Sequence, residues 1–357
     1  GLLNREIEYL PGSEEMAQRA REGRGMSRPE IAVLLAYAKM SLTEHLRLSN
    51  LPDDPHFVDD LLGYFPDPIV DRFRGYMLQH TLRKDLISTL VANLLLYSQG
   101  STFYSRMRTL TGASAGMIVR CYRIARAVTH ASGRWAAVEA LGTSVSSEVT
   151  REMLRDIDRL VTLVSRWYLA RPTDRSIDEE IDLAADDFVA LSESLPLLDL
   201  PEWREPYEAV AVELEAQGVP RELAVRHAFQ RALRRGPDMV DLAREHGIDV
   251  LDIAKLYSMA SQRFSIGWLE RQIRLLPGAS SFERLAIESI RGDLLELRRD
   301  VVSMILATGA TDLNAYLEEH DRVVPRLERW RRWIASDGIQ DVSAGLIASR
   351  RLRQILL

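Results

Sequence analysis

The chain has 357 residues, 46% hydrophobic and 27% charged, with a formal net charge of −6. These proportions describe a globular protein long enough for one large or two to three ordinary domains, and they exclude disordered and fibrous classes. The acid excess weighs against a nucleic-acid partner, no run of about 18 uncharged apolar residues offers a membrane span, and Cys121, the only cysteine, allows no internal disulfide or thiolate metal cluster. The first residues, Gly1-Leu2-Leu3-Asn4-Arg5-Glu6, lack a basic-then-apolar signal pattern, so a cytoplasmic location is the expectation.

Helix signals follow one another along the chain. Ser27-Arg28-Pro29-Glu30 reads as a capping box with a proline in the first turn, ahead of Ile31, Leu34, Leu35, Ala38 and Leu42 at helical spacing. Asp54-Pro55 and Asp67-Pro68 each read as an N-cap followed by an N1 proline. Residues from about Leu82 to Tyr97 form a largely apolar, buried helix that ends near Gly100, and Ser114 and Ser176 cap later helices. Pro196, Pro201 and Pro206 break the pattern between two long helices. No period-2 segment and no strand followed by a Gly-rich turn and a helix stands out. The expected fold is all-α, a multi-helix bundle of about fifteen helices.

A weak internal repetition adds to this. Gly112 and Gly247 lie 135 residues apart, and the same offset pairs Ile118 with Ile253, Arg120 with Lys255, Tyr122 with Tyr257 and Ala125 with Ala260. It also pairs Ser146 with Ser281 and Ser176 with Thr311. Two related helical units in tandem, 78–217 and 218–357, are one reading; chance similarity between Arg/Leu/Ala-rich helices is the other.

Catalytic chemistry finds little footing. The seven histidines have neither H-x-x-x-H spacing nor the carboxylate spacing of a zincin helix, so no metal site is expected. Gly23-Arg24-Gly25 lacks a third glycine, and Thr111-Gly112-Ala113-Ser114-Ala115-Gly116 reads as a glycine C-cap followed by a serine N-cap more readily than as an anion site. Cys121 sits mid-helix between apolar positions as a small core filler, and no G-x-S-x-G elbow exists. Ala243, Gly247, Ile253 and Leu256 match helix-turn-helix spacing, but the following helix carries Asp249, Asp252 and only Lys255; Arg120, Arg123 and Arg126 make the equivalent first helix better suited to phosphate. Trp330-Arg331-Arg332-Trp333 and Arg350-Arg351-Leu352-Arg353 are either interface anchors or a bundle core whose arginines pair with Glu318, Glu319 and Glu328.

One stretch is more specific. Gly25-Met26-Ser27-Arg28-Pro29-Glu30-Ile31-Ala32-Val33-Leu34-Leu35-Ala36-Tyr37-Ala38-Lys39 resembles the C-terminal helical region of the large bacterial NAD-dependent glutamate dehydrogenases. Leu3 to Pro11, Leu51 to Pro55, Tyr64-Phe65-Pro66, His80 to Asp85, Gly100 to Phe103 and Thr111 to Ser114 fit the same pattern. So do Tyr257, Arg263, Trp268 and Leu269. The resemblance covers the whole chain and is strongest over 2–115. Tyr97 and Ser98 stand where the family has Asn-Arg, and Ser261 and Ser265 where glycines are expected, so no ligand role is carried to those positions.

The resemblance implies a parent enzyme that oxidises L-glutamate with NAD to 2-oxoglutarate, ammonium and NADH. That reaction needs a lysine in a Gly-rich substrate loop and a dinucleotide-binding domain. Lys39, Lys84 and Lys255 all sit in helical patterns, so this region is expected to hold no catalytic, cofactor-binding or metal residue, with NAD bound elsewhere in the parent. Gly1 is no natural start, which makes a piece of a longer polypeptide that supports, assembles or regulates the catalytic region the expectation, and a free-standing helical interaction scaffold or a helix-turn-helix DNA-binding regulator the alternatives. The implied organisation is 1–26 as a linker from the catalytic region, 27–77 as a helical docking segment, and then the two helical units. Ser27, Arg28, Pro29, Glu30, Tyr37 and Lys39 form the candidate docking face, with the catalytic region of the same polypeptide as partner and a homo-oligomer formed through the parent.

Overall fold

The computed structural model describes residues 4–310, 313–320 and 322–357. They form helices joined by short turns, with no strand among the described residues. The chain falls into two compact units: one holds the residues up to Val138 with Glu152–Ala185, the other Glu139–Arg151 with Asp186–Leu357.

The first unit contains α1 (Ser13–Arg21), α2 (Arg28–Arg47), two 3-10 turns, α3 (Val58–Leu62), α4 (Asp67–Leu78), α5 (Arg83–Gln99), α6 (Phe103–Thr111), α7 (Ala115–Val128) and α8 (Ala131–Glu139). The boundary between the units falls within α9 (Ser147–Ala170) and α10 (Ile177–Ser194). At its centre, α5 packs on α2, α3 and α7. Ile87, Val91 and Leu95 of α5, Leu42 and Leu46 of α2 and Ile118 and Tyr122 of α7 are all fully buried. Each such side chain contributes about 1.5–3 kcal/mol by leaving water. The Tyr122 ring stands edge-on to Phe103 and its hydroxyl hydrogen-bonds Ser98 at 2.6 Å. α5 ends at Gly100 as the sequence predicts, but the stretch is not buried throughout: Leu82 just before it and Tyr97 in its last turn are exposed.

The second unit continues with α11 (Pro201–Ala216), α12 (Arg221–Phe229), a 3-10 turn, α13 (Gly236–His246), α14 (Val250–Arg263), α15 (Ile266–Arg274) and α16 (Ser281–Ala307). It closes with α17 (Leu313–Glu319), α18 (Val323–Asp337) and α19 (Val342–Leu356). The buried α14 lies among α11, α13, α15 and α16, and α19 packs on α16 and α18.

Caps decide the boundaries. Ser27 Oγ accepts from the Glu30 amide while Glu30 accepts from the Ser27 amide, and Ser176 with Glu179 repeats the device ahead of α10. Ser114 caps α7. One predicted boundary moves by one residue: Pro66 rather than Asp67 is the N-cap of α4. Pro201 opens α11, as an N-terminal proline can, but Pro206 does not break it; the helix runs through. The chain is thus cut into more helices than the periodicity predicts.

The 135-residue offset reappears in the backbone. It carries α7 onto α14 and α8 onto α15, end to end. Gly112 and Gly247 both terminate a helix in the left-handed region, at φ 69° and 65°. The offset also joins His130 (φ 50°) to Ser265 (φ 62°), two of the three non-glycine residues with positive φ among the described residues. It also carries α9 onto 282–305, within α16; beyond α16 the correspondence fades, since α10 has 18 residues where α17 has seven, and Thr311 lies outside the described residues.

Candidate functional site

Two features stand out: the face built around Ser27 to Lys39, and a buried ionic cluster in the second unit. On the face, Ser27, Glu30 and Tyr37 are used by the fold itself. Glu30 closes the capping box and accepts both contacts of Arg19 at 3.0 Å, which ties α1 to α2. The Ser27 amide, helped by the Ser27 hydroxyl and Arg19, holds the Glu30 carboxyl below the usual carboxylate range against the opposing effect of burial. Tyr37 donates to Glu8, whose carboxylate raises the phenol pKa. Pro29 occupies the first turn. Arg28 is exposed and Lys39 half-buried, and neither has an ion pair among the described residues.

The apolar residues of this face are the larger surprise. α2 has 20 residues yet buries only Leu42 and Leu46; Leu34 and Leu35 are half-exposed, and Ile31 and Met40 are exposed. α4, kinked at Phe73 (φ −125°, ψ 17°), buries only Met77 and leaves Ile69, Phe73 and Tyr76 exposed. Exposed apolar side chains of this kind mark interaction surfaces.

The ionic cluster is assembled from five helices and a turn. Arg298 of α16 is 1% exposed and reaches Glu202 Oε1 at 3.5 Å and Glu270 Oε2 at 3.3 Å. Arg235 donates to the same Glu270 oxygen at 2.6 Å. Burial alone would raise the Glu270 pKa, but Arg235 and Arg298 hold it down at about 2. The Arg298 guanidinium lies 5.5 Å from the Tyr257 ring centre, and the Tyr257 hydroxyl donates to Asp238 at 3.3 Å. Ser261, where the resemblance predicts a glycine, donates to Glu202 at 2.8 Å. Ser265, the other such position, keeps the left-handed backbone a glycine would hold without strain, and its Oγ accepts from Arg331 at 2.9 Å. None of the four cluster charges follows from a spacing motif. The one available signal was Arg298 interrupting the apolar stripe of Leu294, Leu297 and Val301.

The other sequence candidates resolve into structure. Cys121 is buried, and that burial pushes its thiol up to about 12. His56 contacts Asp178 through Nδ1 at 2.6 Å, while its Nε2 accepts from Arg123 at 3.2 Å, so neither ring nitrogen is free to act as a base. Arg123 also forks onto Asp60, Arg120 donates to the Arg175 carbonyl, and Arg126 lies over Trp135. In the helix-turn-helix stretch, Ala243, Ile253 and Leu256 are buried and Lys255 pairs with Asp252 at 2.8 Å. Trp330 is buried, donates to the Ala348 carbonyl and stands edge-on to Trp268. Its neighbouring arginines do not take the predicted glutamates: Arg331 donates to the Arg263 carbonyl and to Ser265, Arg351 covers Trp333, and Arg353 pairs with Asp300. Among the described residues no three metal-ligating side chains come together, and no helix is long and apolar enough to cross a membrane.

Residues 23–354 match the family model for the C-terminal region of glutamate dehydrogenase. The chain belongs to this family. The NAD-specific glutamate dehydrogenase of Pseudomonas aeruginosa is 31% identical over 99% of the chain, that of Mycobacterium tuberculosis 28% over 99%, and that of Halomonas elongata 29% over 95%. The alignments take in only 21–22% of those proteins, so this glutamate dehydrogenase C-terminal region spans about a fifth of the length of the relatives it matches.

Proposed function

We propose that this chain is the non-catalytic C-terminal helical region of a large NAD-dependent glutamate dehydrogenase, and that it supports the catalytic region by docking against it. The parent reaction is oxidation of L-glutamate by NAD to 2-oxoglutarate, ammonium and NADH, a step of amino-acid catabolism in the cytoplasm. NAD binds in the parent outside this region. The occupant of the docking face is the catalytic region of the same polypeptide, and the parent assembles as a homo-oligomer.

One observation supports the reading: Ile31 and Met40 of α2 and Ile69, Phe73 and Tyr76 of α4 are exposed. Burial of Ile31, Met40, Phe73 and Tyr76 against another surface would remove from water the kind of side chains that anchor interfaces. Arg28 and Lys39 border that surface with free charge, and the relatives carry about four-fifths of their length outside the matched region. The internal ties of Arg120, Arg123 and Arg126 speak against a DNA-reading helix, since a phosphate-binding face needs free cations.

The test is glutamate oxidation by the full-length enzyme carrying Ile31→Asp with Phe73→Asp. Both side chains are exposed here, so the 357-residue chain should melt as before while the full-length enzyme loses activity or stability. A full-length variant indistinguishable from wild type would refute the docking role.

A further inference from the structure

Charge is unevenly placed along the chain. Residues 322–357 hold eight of its 46 lysines and arginines but only three of its 52 acids, Glu328, Asp337 and Asp341. That is a local excess of five positive charges in a chain whose net charge is −6. On α18 the arginines form a stripe. Arg322, Arg326 and Arg329 recur at i, i+4 and i+7, on one face of the helix, and all three are exposed. Trp333 continues the stripe four residues on, with the Arg351 guanidinium of α19 5.0 Å from its ring centre. Arg326 is held by the Gln354 carbonyl at 2.7 Å, whereas Arg322 and Arg329 have no hydrogen bond or ion pair among the described residues.

The stability of α18 does not account for this placement. Arg322 is its N-cap and Arg326 stands near the same end, with no acid in the first turn. The positive end of the helix dipole repels cations there, and arginines three and four residues apart repel one another. An anionic partner relieves both.

The second unit also carries the counterpart. Its part of α10, from Asp186 to Ser194, holds Asp186, Asp187 and Glu193 and no basic residue. Asp186 and Glu193 are exposed, lie two turns apart on one face, and have no hydrogen bond or ion pair among the described residues. Glu193 stands in the last turn, where the negative end of a helix disfavours an acid. The separation of seven residues is that of Arg322 and Arg329, so an antiparallel alignment brings Arg322 to Glu193 and Arg329 to Asp186. Neither pair is made within one chain among the described residues, so a second copy is the partner that satisfies both. A nucleic acid fits less well, since phosphate binding needs many free cations and this stripe offers two.

We propose that α18 of one copy packs antiparallel on the second-unit part of α10 in another copy, through Arg322 against Glu193 and Arg329 against Asp186. Surface ion pairs are individually weak and screened by salt, so the contact is of low affinity and sensitive to ionic strength. It supplies a contact for the homo-oligomer proposed above and is separate from the docking of α2 and α4, so either can fail without the other.

The experiment is sedimentation equilibrium of the 357-residue chain over a range of concentrations, at about 20 mM and about 500 mM salt. The mass should rise with concentration at low salt and stay at 40.5 kDa at high salt. Arg322→Glu with Arg329→Glu should weaken self-association about tenfold or more, and so should Asp186→Arg with Glu193→Arg, because each sets like charges against one another. All four side chains are exposed, so both variant chains should melt as wild type does. Mixing the two variants tests the pairing itself: the acidic α18 of one meets the basic α10 of the other, and a one-to-one complex should form that neither variant forms alone. A wild-type chain that stays monomeric at low salt, self-association unmoved by either pair of substitutions, or variants that stay apart on mixing would overturn the contact. So would a monomeric chain that retains a single-stranded DNA oligonucleotide through Arg322 and Arg329, which would assign the stripe to nucleic acid.

Discussion

Gly267 and Glu202 are so closely apposed that a β-carbon on Gly267 would fall 1.9 Å from the Glu202 carboxylate and 2.9 Å from the Ser261 hydroxyl. Neither neighbour can simply swing aside, because Ser261 and Arg298 both hold that carboxylate oxygen. Gly267→Ala should therefore destabilise the chain by about 2–4 kcal/mol despite the better helix propensity of alanine. Gly292, inside α16, has open space where its β-carbon would stand, so Gly292→Ala should stabilise by about 1 kcal/mol. Urea unfolding of the two variants should show opposite signs for one and the same substitution.

Glu270 should govern the acid limb of stability. Its folded pKa, about 2, lies below the ordinary 4.5, so the deprotonated form is the one the fold favours. Its contribution is complete above pH 4.5 and is lost as pH falls from there toward 2. Glu270→Ala leaves Arg235 and Arg298 facing each other with one counter-charge removed, and should cost about 3–5 kcal/mol at neutral pH. The loss should shrink below pH 4, where wild type gives up the same interaction. Chemical denaturation across pH 3 to 7 measures both.

Asp158 predicts the reverse slope. Burial raises its pKa from 3.8 to about 6, although the Trp135 indole N–H donates to it at 3.1 Å and pulls the other way. The folded state thus prefers the protonated form; the group's contribution is present below pH 3.8 and lost as pH rises through 6. Asp158→Asn keeps an acceptor for Trp135 without the charge. Because the side chain is half-buried and partly screened, the expected gain is about 1 kcal/mol at pH 7.5. A melting-temperature rise at pH 7.5 that vanishes at pH 4 would show the charge to be the cause.

His130 holds φ at 50°, a conformation that costs an L-residue about 1–2 kcal/mol and glycine almost nothing. His130→Gly should raise stability by about 0.5–1 kcal/mol once the greater freedom of the unfolded chain is subtracted. Ser265→Gly, at the matching position, should gain less or nothing, because it also removes the acceptor for Arg331.

Local signals were the legible part of the fold. The Ser27–Glu30 box, the Gly112 turn with its Ser114 cap and the Ser176 cap could all be read because each joins residues no more than four apart. The cap read at Asp67 moved one residue, to Pro66, which leaves Pro68 still in the first turn. Pro206 was misread because a helix anchored elsewhere can carry a proline at the loss of one hydrogen bond. The ionic cluster was out of reach: Glu202 and Arg298 are 96 residues apart and meet only through the packing of α11, α15 and α16. Periodicity placed an apolar stripe on α2 but could not say what it faces; the structure buries Leu42, half-covers Leu34, Leu35 and Ala38, and leaves Ile31 exposed.

Amide hydrogen–deuterium exchange, comparing residues 28–48 and 67–78 in the full-length enzyme and in the 357-residue chain, tests the docking account most directly. Docking of α2 and α4 on the catalytic region predicts slower exchange of both stretches in the full-length enzyme, with the buried α14 unchanged. Identical exchange of α2 and α4 in the two proteins would contradict it.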